Sequence, residues 1–315
     1  MTGRFIISLD FELLWGVRDH ADRSSYGANV LGARAAVPRI LDIFAQHNIA
    51  ATWATVGFLF CENKDELIDI LPEDRPTYSN DRLSNYRYLD EVGKNEGSDP
   101  YYFAPSLIDR IRKTPNQEIA THTLSHYYCL EDGPKISSFE ADLQAACVLA
   151  ERRGIKFKSI VFPRNQYTAE HLAVCARHGV TAYRGNENSW AYHPTQGAEQ
   201  TLTRRALRLV DAHTGILGPH ISSSSEGVPS NIPASRFLRP SAGRLAPFHG
   251  SHLSVIRREM RAAARRGMTY HLWWHPHNFG RELEKNLAVL RSIAVQFTAL
   301  KEEFGMTSCS MGAGA

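Results

Sequence analysis

The sequence predicts an α/β fold built on a mainly parallel sheet or barrel, and two observations carry that prediction. Short apolar runs alternate with stretches of helical periodicity along most of the chain, the pattern of strand–helix–strand units. Polar residues able to do chemistry fall just past the apolar runs, and parallel barrels gather their active sites at the C-terminal strand ends. A length of 315 residues with 43% apolar content suits one large domain or two modest ones with an ample core.

The elements follow in order. Residues 5–9, FIISL, read as a buried strand that ends in acids. In residues 34–47, RAAVPRILDIFAQH, Val37, Ile40, Leu41 and Phe44 share one helical face, and Pro38 falls in the first turn, where proline is tolerated. IAATWATV reads as the next strand, and a short strand around EIAT leads into THTLSH. Ser137 and Glu140 have capping-box spacing ahead of Phe139, Leu143, Ala146, Cys147 and Ala150, and Gly154 closes that helix. SIVF is a strand. Thr168 opens a short helix that ends near Gly179, and TAYR follows as a strand. Late in the chain, 252–266 reads as helix, 269–274 (TYHLWW) as strand and 281–303 as the final helix. The expected organisation is one catalytic domain over residues 1–306. Insertions near 62–103 and 185–235 break the rhythm, and a loose tail occupies 307–315.

Charge and cysteine usage narrow the function classes. The net charge of +3 is too small to argue for nucleic acid, and no recognition motif is present. The stretch holding Arg236, Arg239, Arg244, Arg257, Arg258, Arg261, Arg265 and Arg266 contains Glu259 as its only acid. That is either a solvated helix face or a surface for an anionic partner such as a sugar nucleotide, a lipid diphosphate or an acidic glycan. Five cysteines without CxxC spacing suggest buried thiols in a reducing compartment. The start, MTGRFIISLDFELLWG, is broken by Asp10 and Glu12 and is no secretory signal. The longest apolar run, AATWATVGFLF, is too short to span a bilayer. The expected location is cytoplasmic, with no integral membrane segment; peripheral membrane contact stays open.

The chemistry collects at five apolar-run ends: Asp10 and Glu12 after FIISL, His122 and His126 after EIAT, PRNQY after SIVF, RGN after TAY, and HPH after TYHLWW. An HxxxH spacing can offer two imidazoles to one metal from a helical turn, although surface histidines at that spacing are common. A hydrolytic metal site needs a further ligand and a position for water. DFE places two acids at i and i+2, which share a face on a strand. One can bind the metal while the other takes a proton.

These residues resemble the polysaccharide deacetylases of the NodB-homology group, carbohydrate esterase family four. SLDFE resembles the family's first motif, with its base and metal-binding acids. HTLSH matches the second, His-Ser/Thr-x-x-His. FPRNQY resembles the third, and LWWHPHNF the late motif that ends in a catalytic histidine. The resemblance spans residues 8 to 279 and looks most like the cytoplasmic branch associated with bacterial O-antigen and capsule synthesis. It implies a distorted (β/α) barrel of about seven strands, a divalent metal with zinc favoured, and removal of an N-acetyl or similar acyl group from an amino sugar, nucleotide- or lipid-linked or in a finished chain. Carried over residue by residue, it makes Glu12, His122 and His126 the metal ligands, Asp10 the base and His275 the acid, with His277 either a rival acid or a supporting residue. The family's adjacent acids are separated here by Phe11, so the roles of Asp10 and Glu12 could be exchanged. Arg164 is expected to orient Asp10, and a backbone amide near Asn165 or Gln166 to meet the oxyanion. GNENSW loosely resembles the fourth motif, which makes Trp190 a pocket wall or a core residue. Arg236 and Arg239 could hold a carrier phosphate. Tyr86, Tyr88, Tyr101 and Tyr102 could stack on sugar or pack the insertion. Two rivals remain: a deformylase or other small-amide hydrolase on a carrier-linked sugar, and a catalytically inactive sugar-binding barrel.

Overall fold

Strand β1 (Arg4–Phe11) is buried on both faces and paired on both sides, parallel to β2 (Ala51–Thr55) and to β8 (Thr269–Trp274). The computed structural model describes residues 2–187, 189–193, 195–196, 201–223, 227–241 and 247–314. From β2 the sheet continues through β3 (Gln117–Thr121), β4 (Ser159–Ile160), β5 (Ala182–Gly185) and β6 (Ser230–Pro233). Strand β7 (Arg236–Phe237) lies outside β8, and every pairing of these strands is parallel. The two ends of this order, β6 and β7, are neighbours in the chain. Between them the Ala234 amide donates to Gly185 O and the Ser235 amide to His271 O. One continuous segment therefore bonds β5 with its first half and β8 with its second, which curls the sheet into a distorted parallel barrel of the kind expected.

Helices α1 (Arg23–Gln46), α7 (His249–Arg266) and α8 (Leu283–Phe304) cover the strands around β1. Phe5, Ile7, Leu9, Ile40, Phe44, Trp53, Ile256, Trp274, Leu290 and Phe297 form the centre of that core, all at most 1% exposed. A smaller cluster of Phe139, Leu143, Phe162 and Val174 seats α4 (Ile136–Arg152) and α5 (Ala169–Arg177). Helix α2 (Lys64–Asp69) lies within the first insertion, α3 (Pro105–Lys113) follows it, and α6 (Leu202–Thr214) lies within the second.

Several expectations need correction. Helix α1 begins at Arg23, not near 34, because the Asp22 side chain accepts the Ser25 amide at 2.9 Å and Gly27, Val30 and Ala33 extend the buried face. Pro38 is consequently interior to the helix. The Ser137–Glu140 capping box does not form. Ser138 bonds the Lys135 backbone instead, and Glu140 pairs with Arg177. The tail is not loose: β9 (Thr307–Ser308) pairs with β1, and Met311 of α9 (Met311–Gly314) is fully buried. The four tyrosines pack the insertion. Tyr102 is buried beneath Trp15, Tyr86 donates to Asp142, Tyr88 lies under Arg18, and Tyr101 meets Gly27.

Candidate active site

Asp10 is the penultimate residue of β1 and Glu12 lies one past its end, so the i, i+2 spacing delivers both carboxylates to one side. Glu12 Oε2 stands 3.3 Å from His122 Nε2 and 3.1 Å from His126 Nε2. One ligand atom from each of these three buried residues lies within 4.8 Å of the others. Gly16 is what leaves Glu12 its place: a Cβ there would stand 1.9 Å from the Glu12 carboxyl carbon. The donor set, two imidazole nitrogens and a carboxylate oxygen converging on one point, fits a divalent ion with room for exchangeable ligands.

The histidines come from a loop, not the helical turn that HxxxH suggested. Thr123 and His126 have left-handed backbone (φ 65° and 60°), uncommon for residues with a Cβ. Local bonds hold them there. The Tyr127 amide donates to Thr123 Oγ1 at 2.7 Å. The Asp142 carboxylate, reaching in from α4, accepts the Leu124 amide at 2.7 Å as well as the Ser125 and Tyr86 hydroxyls. His122 Nδ1 donates to Val161 O at 2.6 Å, which leaves the Nε2 lone pair facing Glu12. His126 Nδ1 is buried without a partner.

Asp10 belongs to a second network. Arg184, fully buried on β5, donates to both its oxygens, Nη1 to Oδ1 at 2.6 Å and Nη2 to Oδ2 at 2.8 Å. The guanidinium is in turn held by Asn165 Oδ1, by Ser8 Oγ and by the face of Trp273, 4.2 Å from its ring centre. Burial would lift the Asp10 carboxyl, but Arg184 outweighs it and holds Asp10 below the usual carboxylate range. Burial likewise opposes ionisation of Glu12, and His275, His122 and His126 overcome it and bring it well below. Arg164, expected in the orienting role, points elsewhere: it pairs with Glu131 and Asp19 and lies over Tyr128. Its left-handed φ of 54° turns the side chain to the cavity rim.

His275 Nε2 lies 3.7 Å from Asp10 Oδ2 and 3.7 Å from Glu12 Oε1, with 24% of its side chain exposed. His277 stacks on it at 4.9 Å between ring centres and is buried. Burial, with the neighbouring His275, pushes His277 down to about 3, so it stays neutral and suits support better than proton donation. The surrounding cavity, about 230 Å³, is lined by both acids and both loop histidines, with Arg164, Asn165, Trp273 and His275 among its walls.

Other expected contacts are not brought here. Trp190 is solvent-exposed and lines no part of this cavity. Arg236 is buried between Glu259 and Asp211, bidentate to the former, and is committed to that network rather than to a phosphate. Arg239 also lies outside the cavity lining, its backbone amide on His252 Nε2. The amides of Asn165 and Gln166 already donate to Phe162 O and Pro163 O, so neither is free for an oxyanion. Arg244 and the Asn188 of GNENSW lie outside the described residues. Arg184 and Trp273 are the residues missed. RGN stood at a strand end and Trp273 is two residues before His275 on one strand face, so position was legible and pairing was not.

The polysaccharide deacetylase family model matches residues 27–183, about half of the chain. That segment holds His122, His126, Arg164 and Asn165. Asp10, Glu12, Arg184 and His275 lie beyond it. No curated protein matches the chain. A Mycobacterium smegmatis structure described as a polysaccharide deacetylase superposes with TM-score 0.62 at 15% identity, over 99% of this chain and 88% of that one. One from Pseudomonas aeruginosa PAO1, described likewise, gives 0.54 at 11%, over 94% and 84%. The 4-alpha-glucanotransferase of Thermococcus litoralis gives 0.56 at 9%, over 99% of this chain and 40% of that one. These likenesses bear on the fold, and a fold shared with a glucanotransferase leaves the reaction to the site.

Proposed function

The chain belongs to the polysaccharide deacetylase family through its matched segment, and on that premise we propose that it is a metal-dependent hydrolase removing an N-acetyl group from an amino sugar. The observation that carries this reading is the convergence of Glu12, His122 and His126 beside the Arg184-held Asp10. Those three residues would hold a divalent ion, zinc by its nitrogen-rich donor set. When bound, such an ion polarises the acyl carbonyl and acidifies water.

The remaining work falls to the chain's own groups. Asp10, kept ionised and aimed by Arg184, accepts the proton of the attacking water. His275, the partly exposed imidazole within 3.7 Å of both acids, gives a proton to the leaving nitrogen as the C–N bond breaks. The water oxygen leaves in acetate and the nitrogen in a free amine. Asn165 and Trp273 hold Arg184 in place, and His277 backs His275 by stacking. This assignment makes Asp10 the base and Glu12 the ligand, since only Glu12 faces both loop histidines.

The same reading takes residues 1–306 and the packed segment 307–314 as one catalytic domain. It places the reaction in the cytoplasm, in synthesis of a bacterial O-antigen or capsule sugar carried on a nucleotide or lipid. No helix among the described residues is long and apolar enough to cross a membrane. A deformylase would use the same groups.

The test is elemental analysis of wild type beside the His122→Ala/His126→Ala variant, with product release from N-acetylated and N-formylated nucleotide sugars. Wild type should carry about one ion per chain, lost from the variant together with acetate release. Equal metal in both proteins overturns the site. Formate release without acetate moves the acyl group to formyl.

A further inference from the structure

Exposed apolar side chains concentrate in one stretch of the chain. Six of the eleven large exposed hydrophobics among the described residues fall between 190 and 248: Trp190, Leu202, Val210, Ile216, Val228 and Phe248. On α6, Leu202, Ala206 and Val210 recur every four residues and are all exposed, forming an apolar stripe turned to solvent. Two neighbouring segments are tied to α6 through main-chain carbonyls. Arg204 binds Trp190 O, and His213 of α6 bonds the Phe248 carbonyl at the start of α7. Trp190 follows β5 and Phe248 follows β7, so both sit at the barrel end that carries the candidate active site.

Among the described residues the charge around this stripe has one sign. Among the described residues of 189–223 and 247–268 the acids are Asp211 and Glu259, both buried and both paired with Arg236. Arg205, Arg257 and Arg258 are exposed on α6 and α7. The molecule as a whole is nearly balanced at +3, and the described residues of this face are locally cationic because their two acids are used internally.

We propose that the α6–α7 face docks the protein on the surface of an anionic lipid bilayer. A soluble polyanion would require the arginines and leave the apolar stripe unexplained. Protruding Leu202, which is 81% exposed, and Phe248 and Trp190 are instead suited to the headgroup boundary, with arginines level with the phosphates. Docking there sets the barrel end bearing the site close to the membrane. The inference is independent of the catalytic reading.

The test is co-sedimentation of the full chain with vesicles of phosphatidylcholine alone and of phosphatidylcholine with phosphatidylglycerol. Binding to heparin is measured alongside. Two surface variants are compared, Leu202→Ser/Val210→Ser and Arg205→Glu/Arg257→Glu, each with its thermal midpoint checked. Wild type should bind the anionic vesicles and not the neutral ones. Both variants, with unchanged midpoints, should lose about tenfold or more in vesicle affinity. No binding to anionic vesicles overturns the proposal. So does a serine variant that binds vesicles as wild type does, since the surface would then be a site for soluble polyanions.

Discussion

Without Arg184, Asp10 would lose the guanidinium that does most to keep it ionised, and burial favours its protonated form. Arg184→Met is therefore expected to lower kcat by ~100-fold or more while leaving metal content unchanged. Arg184→Lys, which keeps the charge and loses the two-point grip, should recover part of that loss. Steady-state kinetics and elemental analysis on the same preparations check both statements; loss of metal with Arg184 would mean the two networks are one. Gly16→Ala acts on the other network. Its added methyl needs the space of the Glu12 carboxyl group, so metal affinity should fall by ~10-fold or more in a competition titration with a chromophoric chelator. Wild-type affinity would show that Glu12 is not a ligand. Glu12, the two loop histidines and His275 were legible because each pair is close in sequence or stands in a distinctive motif. The grip of Arg184 on Asp10 spans 174 positions, and no local spacing encodes it.

At the scale of elements, α4 and the histidine loop act as one unit. Asp142 satisfies a buried amide and a buried hydroxyl on that loop, at Leu124 and Ser125, and takes a third bond from Tyr86 in the first insertion. Asp142→Ala leaves these donors unpaired and is expected to destabilise the fold by roughly 2–4 kcal/mol. Asp142→Asn keeps an acceptor for the Leu124 amide and should cost less. Urea unfolding of the two variants would show the ordering, and equal losses would mean that packing volume matters rather than the bonds. The helix pattern of the sequence placed α4 correctly on Phe139, Leu143 and Ala146. It misread the helix start: the N-cap is Lys135, two residues before Ser137, and Ser138 in the first turn reaches back to the Lys135 backbone. The helical reading of HxxxH failed for a related reason: two left-handed residues bring the rings together at 5.0 Å without any helix.

For the whole molecule, buried neutral histidines tie stability to pH. Burial pushes His252 down to about 4 and His271 to about 3, against 6.5 for a free imidazole. Between those values the unfolded chain binds protons that the folded chain refuses, so their stabilising contribution is complete above pH 6.5 and is lost as pH falls. By pH 5 the loss is roughly 2 kcal/mol for each. Asp142, lifted to about 6 by burial, works in the opposite direction and offsets about 1 kcal/mol over the same range. The urea midpoint should therefore drop between pH 7 and pH 5, and a flat or rising midpoint would contradict the neutral burial of these histidines. The sequence by itself determined the strand–helix alternation and marked the two acids, the two loop histidines and His275 as candidates at apolar-run ends, because these depend on periodicity and short spacing. Only the tertiary structure decided that Arg184 rather than Arg164 holds Asp10, that Arg236 is consumed by Asp211 and Glu259, and that one segment, 230–237, joins β5 to β8. Each of those facts is a pairing between distant parts of the chain, and such pairings are set by how the sheet curls rather than by any local pattern.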